Sequence, residues 1–270
     1  MEHATGRLSD DEPLAPSEHA LRECVRLASR HLEMAEPLAF SFLLDHLHAL
    51  LTADRATSGE AIRRLEIAIQ KVLVPRTFFE RARFKTIRGA RHLRYAFPYQ
   101  IRQQLKHPTG DRYWIGSCLH EHLQMRADPL ELRERRLSVL PDITDAAVAE
   151  MVELEPEELL VWTRPLEEID LDLWVEAVEA AFFHLPKGPR RRAMRRALLN
   201  GSPDPAISRE LRERYGISSS SATRLRSWGV ECADACIARR QYGFREWRRR
   251  ASEGAADLPR ILREGILREG

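Results

Sequence analysis

The sequence predicts an all-α protein made of several helical units, the last of them a helix-turn-helix. Three observations carry that expectation. Of 270 residues only 7% are aromatic and Gly and Pro number 13 and 15, so Ala, Leu, Arg and Glu set a composition that favours helices over sheets. Apolar residues recur at three- and four-residue steps along much of the chain. Residues that cap helices, including Ser17, Asp128, Thr144 and Ser218, stand directly before those stretches.

Met1–Ser17 is polar, contains Pro13 and Pro16 and lacks apolar periodicity, which predicts a disordered lead-in over 1–17. A helical, basic and aromatic domain is expected over 18–127. Leu21, Cys24, Val25, Leu27 and Ala28 give a helix over Glu18–His31, an apolar run gives a second from about Pro37 to Thr52, and a third runs from Ser58 to Val74, ended by Pro75. Gly89 and Pro98 break Thr77–Leu105 into short helices, His107–Asp111 reads as a turn, and Trp114–Arg126 as another helix. A small acidic domain is expected over 128–169, with helices opened by Asp128-Pro129, by Thr144-Asp145 and by Glu155-Pro156-Glu157. A DNA-binding domain follows over 170–250, with helices at Asp170–Leu185, Arg190–Asn200, Pro205–Tyr215 and Ser219–Arg240, and then a tail over 251–270.

The net charge of +2 conceals segregation along the chain, and segregation bears more directly on partners. Thirteen basic residues between Arg63 and Arg112 face only Glu66, Glu80 and Asp111. Between Asp142 and Phe182 thirteen acids face Arg164 alone, and from Lys187 to Arg250 a lysine and sixteen arginines face six acids. Four cysteines without regular spacing or a signal peptide point to a reducing, cytoplasmic setting. Asp45, His46 and His48 interrupt the longest apolar run, so no membrane span is expected.

The most informative stretch is Ile207–Arg226. Ile207, Leu211 and Tyr215 share one helix face, Gly216 is placed as a left-handed C-cap, Ile217 as a core plug and Ser218 as the next N-cap. The following helix buries Ala222 and Leu225 and turns Ser219, Ser220, Thr223, Arg224 and Arg226 outward, a polar and cationic surface without a carboxylate that suits a major groove. Arg190, Arg191, Arg192 and Arg195, with Arg196, are placed to attract the phosphate backbone. An ordinary helical hairpin with a solvated basic face is the alternative. Between Arg63 and Arg112 aromatics alternate with arginines, an arrangement suited to stacking unpaired bases, and Tyr95, Tyr99 and Arg102 are the candidates there.

The order of these elements resembles bacterial sigma factors of the sigma-seventy family. Leu185-Pro186, the basic helix Arg190–Asn200, Gly201 and the turn Gly216-Ile217-Ser218 follow the order of that family's C-terminal promoter-reading region. Leu140-Pro-Asp-Ile-Thr-Asp to Leu160 is similar to its middle region, and Tyr95-Ala-Phe-Pro-Tyr-Gln-Ile-Arg to its Tyr-Ala…Trp-Ile-Arg segment, with one residue more between the halves. The resemblance covers about Pro129–Ala238. It implies promoter DNA and core RNA polymerase as partners, no cofactor or metal and no catalysis by the chain itself. The acids Glu155, Glu157 and Glu158 would repel DNA, so the middle unit is expected to pack or to face polymerase.

Cys232 and Cys236, and Cys118-Leu-His120-Glu-His122, lack the spacing of zinc sites, and no phosphate loop, nucleophile elbow or paired-carboxylate motif is visible. Two rival readings remain open: a mobile-element DNA-binding protein with a resolvase- or transposase-like helix-turn-helix, and an interaction scaffold whose acidic middle folds onto its basic ends.

Overall fold

The apolar run from Pro37 to Leu51 forms two strands, not one helix. In the computed structural model, which describes residues 1–9, 13–74, 77–106, 115–154, 169–201, 205–226 and 232–257, β2 (Pro37–Phe42) turns at Leu43–Asp45 into β3 (His46–Leu51). The Leu43 N–H donates to the His46 carbonyl at 2.8 Å and closes the turn. Nearly every residue of both strands is buried, so the polar alternation that marks a half-exposed strand is missing, and such a run reads equally as a buried helix.

The polar start of the chain supplies β1 (Glu2–Arg7), which pairs antiparallel with β3 and, on its other side, with β4 (Arg83–Thr86). The sheet order is β2-β3-β1-β4, so the protein is mixed α/β, which overturns the all-α expectation and the disordered lead-in. The lead-in lacks hydropathy because the inward residues of β1 are Glu2, Ala4 and Gly6. Glu2 is held by Thr86 Oγ1 at 2.9 Å and by Arg55 at 3.3 Å, so a buried carboxylate is tolerated there.

Helix α1 (Glu18–His31) starts where Ser17 Oγ accepts the Ala20 N–H at 3.1 Å, and α2 (Arg55–Val72) where Asp54 accepts from Ala56 and Thr57. They lie side by side over one face of the sheet, and α3 (Gly89–Ile101) covers the other, where Gln100 donates to Ser41 Oγ at 2.8 Å. A short turn of helix, α4 (Gln103–Lys106), follows. The helix expected over Trp114–Arg126 is reduced to α5 (Leu119–His122). Residues 116–118 instead run along the free edge of β2, with Phe42 donating to Gly116 at 3.1 Å and Cys118 to Phe40 at 3.0 Å.

The acidic segment closes the same core. Helices α6 (Leu132–Val139) and α7 (Asp145–Met151), with the residues that flank and join them, contribute Leu132, Leu140, Ile143, Val148 and Val152 to the cluster that holds the sheet, so the core runs without interruption across 127/128. Thr144 caps α7 as expected, accepting the Ala147 N–H at 3.2 Å. Asp145 then binds Arg133 at 3.0 Å and the fully buried Arg136. Residues 155–168, with the expected Glu155-Pro156-Glu157 helix, and the turn at 107–111 lie outside the described residues.

The C-terminal unit packs α8 (Leu171–Phe182), α9 (Lys187–Gly201) and α12 (Ala233–Asp257) around Trp174, Phe182, Ala197 and Tyr242. Between the last two come α10 (Pro205–Arg214) and α11 (Ser219–Arg226); the single helix expected over Ser219–Arg240 is broken at Cys232, a separate one begins at Ala233, and residues 227–231 lie outside the described residues. Gly201 ends α9 directly against the buried Trp174 indole. A Cβ at 201 would stand 2.0 Å from Trp174 Cζ2. Gly201→Ala is therefore expected to destabilise the protein by about 3 kcal/mol through overpacking. A loss under about 1 kcal/mol in urea unfolding would mean that the indole can move aside.

Candidate nucleic-acid interface

Helix α10 ends in a left-handed glycine, as its sequence requires: Gly216 has φ +57, Gly216 donates to the Glu213 carbonyl at 3.3 Å and Ile217 to Arg212 at 2.8 Å. Ile217 drops into a small cluster with Leu199 and Ala222, flanked by Tyr215 and Leu225, which fixes the angle between α10 and α11. Ser218 caps α11, its Oγ accepting the Ser221 N–H at 3.3 Å. Asn200 Nδ2 donates to the Leu225 carbonyl at 3.3 Å and ties the far end of α11 to α9.

Ser219, Ser220, Thr223 and Arg224 are exposed on α11, while Ala222 is buried. The Thr223 hydroxyl donates to the Ser219 carbonyl at 3.0 Å, which leaves its acceptor lone pairs outward. Arg224 Nε lies 3.4 Å from the Ser220 carbonyl, so its guanidinium is drawn along the helix surface. The side chains of Ile207 and Arg226 lie outside the described residues. In α9, Arg190, Arg191 and Arg192 are exposed and Arg195 is half-buried. The helix starts three residues earlier than expected because Pro189 falls in its first turn, where no N–H is needed.

The basic residues divide into two groups by their partners. Arg214 binds Asp172 at 2.9 Å, Arg245 binds Glu176 at 3.1 Å, Arg249 binds Asp170 at 2.8 Å and Arg196 binds Asp234 at 2.5 Å. The acidic start of α8 thus neutralises arginines of α10 and α12. Among the described residues, Arg190, Arg191, Arg192 and Arg195 have no carboxylate partner.

In the N-terminal unit, Tyr95 and Tyr99 are 67% and 44% exposed on one face of α3, with exposed Arg102 one turn on. Arg102 Nε donates to the Met151 carbonyl at 3.2 Å, so that guanidinium is partly committed to the fold. Of the other aromatics there, Phe97 is core, Phe84 lies under the Arg55 guanidinium at 3.7 Å, and Phe78 is exposed. Tyr113 and Trp114 lie outside the described residues.

Beside Tyr99 runs a line of imidazoles that periodicity conceals, because the spacing predicts a helix and the line is built across two strands. Asp45 Oδ1 meets His46 Nδ1 at 2.6 Å, His46 Nε2 meets His48 Nε2 at 3.0 Å, and His48 Nδ1 meets His3 Nε2 at 3.1 Å. With Asp45 ionised and the rings neutral, each ring donates toward Asp45 and accepts from the next. Burial pulls the Asp45 carboxyl up, but its bonds to His46 and the charge of Arg7 outweigh it and leave it below the usual carboxylate value. Burial, then Lys85, depress His3.

The cysteine–histidine sequence at 118–122 is core. Cys118 Sγ accepts the Phe40 N–H at 3.2 Å, Glu121 pairs with Arg126, and His122 Nε2 meets the Leu38 carbonyl at 3.1 Å. Among the described residues no three His, Cys, Asp or Glu side chains converge as metal ligands, and no helix is long and apolar enough to cross a membrane. Compared with family models, characterised proteins and solved structures, the chain matches none.

Proposed function

We propose that the protein binds duplex DNA selectively, with α11 in the major groove and the arginines of α9 on the phosphates. The observation that carries this reading is the exposed row Ser219, Ser220, Thr223 and Arg224 on a helix held at a fixed angle by the Gly216-Ile217-Ser218 turn. Hydroxyls and a guanidinium on such a helix can reach base edges, and unneutralised arginines beside it supply attraction that ignores sequence. Promoter recognition alongside core RNA polymerase, in a sigma-like role, is the setting that the resemblance of Pro129–Ala238 suggests, with Tyr95, Tyr99 and Arg102 offering a second contact to separated strands.

Fluorescence anisotropy on duplexes selected from a random library tests the division of labour. Arg224→Ala is expected to cost about 1–3 kcal/mol on the selected sequence and little on random duplex, whereas Arg191→Ala weakens both alike and lowers the salt slope by about 1. Equal losses for the two variants on both duplexes would remove the proposed roles. Retention of the chain on immobilised core polymerase separates the sigma-like setting from a mobile-element one.

The ion pairs that join Asp170, Asp172 and Glu176 to Arg249, Arg214 and Arg245 favour a second reading, a self-neutralising interaction scaffold. All three pairs have a substantially exposed carboxylate, where solvent screens away most of the attraction. A scaffold of this kind would show no salt-dependent affinity for random duplex.

A further inference from the structure

A cavity of about 750 Å³ opens between α1 and the start of α9. Its size is that of a small-molecule site. Among the described residues six cations line it, Arg26 and Arg30 from α1 with Lys187, Arg190, Arg191 and Arg195 from α9, and no carboxylate does. Arg26 is paired with Glu23 and Arg190 reaches the Phe183 carbonyl at 3.5 Å. Among the described residues the other four have no acidic partner. Positive charges concentrated in a concave wall repel one another, and the positive end of the α9 dipole adds to them.

The cavity also has a polar group with no partner of its own. His184 lines it, is 1% exposed, and neither ring nitrogen meets a partner in hydrogen-bonding geometry, the nearby Ala127 backbone opposing its loss of charge only weakly. An orphaned buried imidazole costs stability unless something supplies its bond. Leu185, Met194, Leu198 and Tyr215 complete the lining, so an apolar and aromatic wall stands beside the cationic one.

We propose that this cavity binds a compact anion carrying two or more phosphates joined to a flat apolar group, the chemistry of a nucleoside di- or triphosphate. The phosphate chain would satisfy the unpaired guanidiniums and the His184 ring, and the base would lie against Tyr215 and Met194. One phosphate would leave most of the six cations unmatched. A purely apolar ligand would leave all of them so. Because α1 belongs to the sheet-containing unit and α9 to the helical one, the ligand would bridge both. The inference shares Arg190, Arg191 and Arg195 with the DNA reading and is told apart from it because it is measured without DNA and through α1.

Titration calorimetry on the full chain, with ATP, inorganic pyrophosphate and adenosine as probes, tests it. ATP and pyrophosphate are expected to bind and adenosine to give no heat. Arg30→Ala, at an exposed position and expected to leave the circular dichroism unchanged, should weaken both anions at least ~10-fold, with Arg30→Lys, which keeps the charge, weakening them less. Failure of ATP and pyrophosphate to bind below about 1 mM would overturn the proposal, as would equal binding by Arg30→Ala. Binding of a duplex oligonucleotide with no binding of either small anion would also overturn it, and would assign the cations to a nucleic-acid surface.

Discussion

Arg126→Met is expected to lower stability by about 3–5 kcal/mol, measured as a shift of the urea midpoint at constant slope. Arg126 and Glu121 have side chains 1% and 2% exposed, and they meet through two bonds, Nε at 2.7 Å and Nη2 at 2.6 Å from the carboxylate oxygens. The same guanidinium donates to the Ile115 carbonyl at 2.9 Å and to Ser117 at 2.5 Å, so it also organises the segment that lines the edge of β2. Burial drives the Glu121 carboxyl up, and Arg126 is the charge that opposes this. Removal of Arg126 leaves a buried acid and two carbonyls unpaired. The double variant Arg126→Met, Glu121→Leu removes the stranded charge and should recover more than half of the loss. A double variant no more stable than the single one would show that the carbonyl bonds, not the ion pair, carry the cost.

Acid is expected to destabilise the fold steeply below pH 6.5, through two histidines that are neutral inside it. Burial, then the charge of Arg136, push His122 down to about 3 against the pull of its bond to Leu38. Burial, then Arg126, push His184 down to about 3 against a weaker opposing contribution from the Ala127 backbone. Both folded values lie below the unfolded value of about 6.5, so the unfolded chain takes up protons that the folded one refuses. The contribution is complete above pH 6.5 and is lost as pH falls toward 3, on the order of 5 kcal/mol for each histidine. Glu66 runs the other way: burial pushes it up to about 7, so its contribution is complete below about 4.5 and is lost as pH rises to 7. Urea midpoints in phosphate-free buffers at pH 7.5, 6 and 5 check this, with His184→Asn flattening the slope between the two lower values. An unchanged slope in that variant would remove His184 from the account.

The helical half of the fold was legible because its signals are local. Ser17, Thr144 and Ser218 cap helices where the sequence places them, and Gly216 turns where a left-handed residue is needed. The sheet was not legible because its signals are distant. Thr5 and His48 face each other from 43 residues apart, and the inward side of β1 carries a glutamate, an alanine and a glycine with almost no hydropathy. The same division holds at the candidate sites. Arg190–Arg195 and Ser219–Arg224 are runs and could be read as such. The cavity needed α1 brought against α9, and the imidazole line needed His48 and His3 on neighbouring strands, contacts that no spacing rule along one segment contains.

The strand order β2-β3-β1-β4 puts the earliest segment of the sequence inside the sheet, between partners that begin 46 and 83 residues along. Only the β2–β3 hairpin can close over a short loop, so it is the natural place for ordering to begin. β1 must then be captured across a long loop and β4 added last, steps whose closure entropy slows the search. Until residue 86 has joined, one margin of β1 offers its amides to any passing strand, and the assembling chain is most vulnerable to intermolecular pairing in that interval.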